Sequence, residues 1–435
     1  MSRSTGLQSL RSWLEVNLFI RRVLRPFRPL AWCLTVLLLC VAAWLATVDY
    51  TAGAWLSFVA GVVGLARELF PVAADFFRSP RSQLRDDTAT LERLPGLRPS
   101  ARATRRGFRI VSPPGTGQLA LQSDAMDRWL RCGGDIPVRV EHGLRDDLER
   151  FLRRNGGALE DVLRCRYRRS RQSDPPRTFV DESKFCLGDD PVPGMAELEV
   201  FRSGYFHSVL TNEMAARILE SRGSNPAPLF AGAQMYPFTD ERMPDIKGSN
   251  MANHVGISTL AVTRDGQLLV WNQDGRAQHS RNQLAPTGSG SCDWKDFEAT
   301  RGAGEGNTLM QVVLRAMERE LREESSLHGV ADARITSRVL GYFRWMNRGG
   351  KPEFVGISRV DAPARTLQPN AAEVNAPSGR GYDLAYPAGD AGELARSLRR
   401  ILESPQVSLP LAMNAAAACA ALRENEAALS ALLWP

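Results

Sequence analysis

Lysine is almost missing from this chain. Only Lys184, Lys247, Lys295 and Lys351 occur, so all but four of the 55 basic residues are arginine. So uniform a replacement reflects a GC-rich genome rather than a chosen RNA or DNA surface, although the formal charge is +7 and the pI about 9.2. Cysteine pairs are missing too. The seven cysteines at 33, 40, 132, 165, 186, 292 and 419 form no CxxC and are odd in number. This excludes a disulfide framework and a cysteine zinc site, and fits free thiols in a reducing compartment. His254 and His328 have no ligand partners at metal spacing and read as structural. No internal repeat divides the 435 residues, which leaves room for two or three domains of ordinary globular composition.

Charge is also missing from one long stretch. Residues 29–48, PLAWCLTVLLLCVAAWLATV, run for twenty residues without a charged side chain. As a helix they would span about 30 Å, the thickness of a bilayer core. A signal peptide is a poor alternative, because 28 residues precede the run. A second run begins at Tyr50, is uncharged to Ala66 and continues to residue 70. It predicts a second span, with a glycine-rich buried helix as the alternative. Arg11, Arg21, Arg22, Arg25 and Arg28 precede the first run and Arg67, Arg78, Arg81 and Arg85 follow the second, so both termini are expected in the cytoplasm. Within residues 1–28, Leu7, Leu10, Leu14 and Leu18 form one stripe of an amphipathic helix suited to a lipid surface.

Residues 78–107 read as a basic linker and 108–250 as a middle α+β region, with a probable strand from Ala196 to Arg202. From 253 the pattern sharpens into a further domain reaching 405. HVGISTLAVTRDGQLLVWNQ is a hairpin turning at Asp265-Gly266. RNQLAPTGSGS is a glycine-rich loop from Arg281 to Ser291, 308–325 a helix, and SRVLGYFRWMNRGGKPEFVGISRV a second hairpin turning at 348–350. Helices at 391–403 and 411–433 follow, the latter within a C-terminal helical segment, 406–435.

RELREESS places Glu320, Glu323 and Glu324 on one helix face, since residues three and four apart are neighbours. Like charges so close repel, and a hard divalent cation removes the penalty. Taken with the hairpin, glycine-rich loop, helix and second hairpin, Arg319, Glu320, Leu321, Glu323, Glu324 and Leu327 resemble the core of the Nudix box, G-x5-E-x7-R-E-U-x-E-E-x-G-U. The chain departs from that box at Gln311, which stands at its upstream glutamate, and at Ser326, at its last glycine. If the double-glycine turn is Gly288-Ser289-Gly290, about fifteen residues including Cys292 to Gly302 are inserted before the helix. The resemblance implies an α/β fold of the Nudix α/β/α sandwich type behind the transmembrane hairpin. It implies Mg²⁺ or Mn²⁺ on Glu320, Glu323 and Glu324, with one carboxylate as base in the hydrolysis of a nucleoside-diphosphate derivative. Glu320 and Glu353 both stand as candidate bases. Gly288, Gly290, Arg319 and Arg344 are the candidate ligand-binding residues, with Lys351 a further cation for phosphate.

Two apolar spans ahead of such a domain resemble the membrane-Nudix effectors of CBASS antiphage systems, in which a CD-NTase makes a cyclic oligonucleotide. That resemblance implies an oligomeric, multi-pass effector of the bacterial inner membrane that senses the nucleotide and damages the bilayer in abortive infection. The alternative is a Mg²⁺-dependent hydrolase acting on a nucleoside-diphosphate derivative or a lipid-linked diphosphate at the inner membrane face.

Overall fold

Thr263, Asp265 and Gly266 show how local chemistry shapes the main sheet. Gly266 sits at φ +71°, a region that costs glycine nothing. The Thr263 hydroxyl donates to Asp265 Oδ1 at 2.6 Å and closes the turn. The structure, a computed structural model, describes residues 3–24, 40–41, 43–44, 47, 55, 58–61, 82–172, 178–223, 225–235, 241–272, 283–301, 307–327, 333–368 and 384–435. It is a mixed α/β protein. The chain separates into two units, one of Met1–Leu84, Glu149–Val180 and Leu219–Leu229, the other of Arg85–Leu148, Asp181–Ile218 and Phe230–Pro435.

In the first unit a helix, Arg3–Phe19, runs into a π-helical turn, Ile20–Leu24. Val16, Phe19, Ile20 and Val23 are buried, while Leu10, Leu14 and Leu18 of the predicted stripe are exposed.

The second unit is built on strands β1 (Phe108–Val111), β2 (Ala120–Ser123), β3 (Val138–Val140), β4 (Ser183–Leu187), β5 (Leu198–Gly204), β6 (Gly256–Thr263), β7 (Gln267–Asn272), β8 (Leu284–Ala285), β9 (Gly288–Ser291), β10 (Ile335–Trp345), β11 (Lys351–Val360) and β12 (Leu384–Pro387). Its helices include α1 (Asp124–Arg131), α2 (Trp294–Arg301), α3 (Leu309–Glu324), α4 (Ala391–Leu402) and α5 (Leu409–Leu433). The main sheet runs β8-β7-β6-β11-β10-β2-β1, with β9 also on β6 and β12 on β7. β6 and β11 are parallel, Gly256 opposite Glu353 and Thr263 opposite Val360. β3, β5 and β4 form a smaller sheet.

Period-two alternation decides which side chains meet which helix. On one face Ile257, Val339, Tyr342 and Phe354 pack against Val312, Val313, Ala316 and Met317 of α3. On the other Leu260, Val262, Leu340, Phe343, Val355 and Ile357 meet Leu394 and Leu398 of α4 and Leu411, Ala415 and Ala418 of α5. Each large aliphatic or aromatic side chain so buried contributes about 1.5–3 kcal/mol, which seats α3 firmly along the sheet. β1 and β2 continue the same sheet through Phe343 opposite Gln122, although their residues read in sequence as part of a separate middle region. The segment read as a basic linker contains a helix, Thr88–Arg93, capped by Asp87, and another, Ala101–Arg105, capped by Ser100.

The expected membrane hairpin is corrected. Its two runs, 29–48 and 50–70, lie almost entirely outside the described residues, and among the described residues no helix is long and apolar enough to cross a membrane. Length alone does not qualify α5. Its 25 residues include Arg423, Glu424 and Glu426, and its apolar side chains are spent on the sheet. The assignment to an inner membrane with multiple passes falls with the hairpin.

Candidate functional site

α3 begins at Thr308, whose amide donates to Gln311 Oε1 at 3.2 Å. Gln311 thus serves the helix start, the N3 position of a capping box. At the other end Ser326 sits at φ +52°. The position does take the left-handed conformation that a glycine would favour, and serine bears the cost, about 1–2 kcal/mol for a residue with a β-carbon.

Between these ends Arg319 is the hub. Its Nε and Nη2 donate to Asp296 Oδ1 and Oδ2, both at 2.9 Å, in a bidentate pair. Nη1 reaches Glu320 at 2.9 Å and Glu323 at 2.8 Å, and Nη2 the Ser291 carbonyl at 3.0 Å. Asp293 lies 3.5 Å away. Asp293 and Asp296 come from the segment read as an insertion, which forms α2. The Asp293 amide donates to Asp296 Oδ2 at 2.8 Å, fixing the start of that helix.

A second cation arrives from β4. Its backbone runs beside 253–256 and 292–293, with Phe185 N to Cys292 O at 3.0 Å and Val255 N to Phe185 O at 2.9 Å. This sets Lys184 Nζ 2.6 Å from Asp293 and 2.9 Å from Glu182. Lys295 lies 3.3 Å from Asp293 and 3.9 Å from Glu323, and is well exposed. On β11, Lys351 and Glu353 form a separate buried pair, laid over Gly256, where a β-carbon would collide with both. Two of the chain's four lysines, Lys184 and Lys295, therefore border the carboxylate cluster.

The predicted residues separate into different tasks. Glu320 lies over Gly290, whose missing side chain makes room for it. Gly288 is a packing position, because a β-carbon there would stand 2.9 Å from Leu321 Cα of α3. Glu324 turns from its neighbours and accepts the Ser289 amide at 2.7 Å. Arg344 is fully buried and bonded to Gly350 O at 3.1 Å, Pro244 O at 2.9 Å and Asp190 at 3.4 Å. None of these partners belongs to the carboxylate cluster. His254 is buried with Nε2 2.8 Å from the Ser208 hydroxyl. Burial, together with Lys351, Lys184 and Arg348, holds it well below the usual imidazole range. His328 lies outside the described residues.

Electrostatics follow from this packing. Burial pushes the Glu320 carboxyl up to about 7, against the opposing pull of Arg319 and Lys184. Burial also raises Asp293, but Lys184 and Arg319 outweigh it and the carboxyl ends lowered. The Mg²⁺ or Mn²⁺ expected on Glu320, Glu323 and Glu324 does not fit the donor set as arranged. Two of the three share a guanidinium nitrogen and the third serves a backbone amide. Among the described residues no group of three or more His, Cys, Asp or Glu side chains is placed to hold a metal. Protein cations neutralise the cluster instead.

Sequence reading missed Asp293, Asp296 and Lys184. An aspartate pair three residues apart is a helix-start signal, and the scarcity of lysine would have drawn notice to Lys184 and Lys295.

No family model matches the chain, and no curated protein matches it. Among solved structures, DR0079 from Deinococcus radiodurans is similar over 38% of this chain and 81% of that chain, at 17% identity and a TM-score of 0.24. A likeness so slight carries nothing further. The resemblance to the Nudix superfamily and to CBASS membrane effectors is therefore corrected: a short charged motif and an order of elements suggested it, and no match over the chain supports it.

Proposed function

We propose that the face formed by β9, α2 and the C-terminal half of α3 binds a phosphorylated, nucleotide-type ligand, a cyclic oligonucleotide among them, and senses it without turnover. The observation that carries this reading is the gathering of Arg319, Lys184 and Lys295 on one face. Lys295 and Glu323 are its solvent-accessible members, with side chains 60% and 30% exposed. Phosphate oxygens suit the bidentate geometry of arginine and the point charge of lysine. An incoming phosphate competes with Glu323 for Arg319 and Lys295, and the released carboxylate marks the liganded state.

Calorimetric titration of the full chain with cyclic di-AMP, cyclic di-GMP and ADP-ribose, without and with Mg²⁺, tests this. Binding without a divalent ion, at least tenfold weaker in Lys295→Gln, and with the ligand recovered intact supports sensing. Failure of all three ligands to bind sinks it. A second reading, Mg²⁺- or Mn²⁺-dependent hydrolysis of a nucleoside-diphosphate or lipid-linked diphosphate, is favoured by one observation. Glu320 and Glu323 meet at a single nitrogen of Arg319. It requires Arg319 to give way and Glu324 to leave the Ser289 amide. Metal-dependent cleavage of ADP-ribose that disappears in Glu323→Gln/Glu324→Gln would establish that reading in place of sensing.

A further inference from the structure

Away from the carboxylate cluster, α5 breaks its helix at Asn425, with φ −156° and ψ 73°. A cavity of about 240 Å³ opens beside the break, between Arg128, Arg131 and Cys132 at the end of α1 and Arg338 and Leu340 of β10. Its charges are unequal. Among the described residues that line it, Arg128, Arg131 and Arg338 face one carboxylate, Glu424. Arg131 is held by Glu424 through Nε and Nη2, both at 2.8 Å, and donates to Leu340 O at 3.2 Å. Arg338 is tied to the Arg131 carbonyl. Arg128 is 68% exposed and stands 4.0 Å from Glu424. Asp127, a further acid near Arg131, is buried and accepts from Gln122 and the Tyr342 amide. Leu340, Ala421 and Leu429, all three buried, give the cavity an apolar wall.

Surplus guanidinium charge at the rim and a hydrocarbon wall behind it suit one chemistry. We propose that this cavity binds a small organic anion, with a phosphate or carboxylate head on Arg128 and Arg338 and an apolar body against Leu340, Ala421 and Leu429. The cavity is smaller than the 300–1,000 Å³ typical of drug-sized sites, so the ligand is of fragment size. Arg131 stays paired with Glu424 and shapes the rim. This site is independent of the nucleotide face.

Cys132 lines the cavity and is exposed, which makes it a reporter. The rate of iodoacetamide modification of the Cys132 peptide is followed by mass spectrometry in the full chain, with phenyl phosphate, benzoate, benzyl alcohol or inorganic phosphate present. Phenyl phosphate, benzoate or both are expected to slow the reaction at least threefold, and which of them does so identifies the head group. Benzyl alcohol and inorganic phosphate leave the rate unchanged. The protection disappears in Arg128→Gln/Arg338→Gln, and also in Ala421→Trp, which fills the cavity while leaving its charges. Equal protection by benzyl alcohol, equal protection by inorganic phosphate, no protection by either aromatic anion, or protection that persists in both variants overturns the proposal. A circular-dichroism melt within 3 °C of the parent is the condition for reading a variant.

Discussion

Arg319 and Arg344 looked alike in sequence, both candidates to hold a ligand, and the structure gives them opposite surroundings. Arg319 projects from a helix, keeps 16% of its side chain exposed, and spans carboxylates from two helices. Arg344 projects from the middle of a sheet, has no exposure, and pairs with Asp190, which also accepts the Tyr342 hydroxyl at 2.9 Å. A guanidinium at the edge of a cluster can exchange one partner for another, because water and Lys295 share the load. A guanidinium sealed in the core cannot, since removing it strands a buried charge. The first arrangement suits ligand exchange and the second suits holding β10 in place.

Breaking the sealed pair is expected to have the largest effect. Arg344→Met should lower unfolding free energy by about 3–5 kcal/mol, because Asp190 loses its cation in a dry site; urea titration measures it, and a loss below 1 kcal/mol would remove the contrast. Arg319→Gln should cost less, about 2–3 kcal/mol. Its loss should shrink in double variants with Asp296→Asn, which no longer leave the buried carboxylate unpaired.

A third buried acid sharpens the comparison because its hydrogen bonds come from neutral groups. Asp127 accepts from Gln122 and from the Tyr342 amide, and burial pushes its carboxyl from 3.8 up to about 6. Between those values the folded chain keeps a proton that the unfolded chain has released. The contribution of Asp127 to stability should therefore be greatest below pH 4, fall as pH rises to about 6, and level off above it. The fall is on the order of 2–3 kcal/mol. Asp127→Asn should flatten this part of the pH profile of urea midpoints, and an unchanged slope would show that other groups produce it. The smallest expected effect lies at the exit of α3. Ser326→Gly should raise stability by about 0.5–1 kcal/mol by relieving the positive φ, a shift of a few degrees or less in a thermal melt.

Much of the second unit was legible because its signals are local. The Asp265-Gly266 turn, the helix at Leu309–Glu324 and the hairpin turning at Gly349 and Gly350, with φ of +57° and +71°, follow from turn chemistry and apolar periodicity. Other features were misread because their cause is distant. The glycine-rich loop contains a strand, Gly288–Ser291, since β6 offers it an edge from Gly256 to Thr259. The apparent insertion is a helix that supplies the partners of Arg319. Gln311, read as a missing acid, is a cap.

What the sequence determined by itself was the two hairpin turns, the helix Leu309–Glu324 and the crowding of Glu320, Glu323 and Glu324 on one face of it, because turn chemistry and spacing along a helix need no other segment. Tertiary structure alone decided what those carboxylates face. Lys184 stands more than a hundred positions from Asp293, and only the seating of β4 beside 292–293 brings its charge within 2.6 Å. Charges act through space and fade over a few ångströms of solvent, so the meaning of RELREESS was settled by neighbours that the order of residues does not reveal.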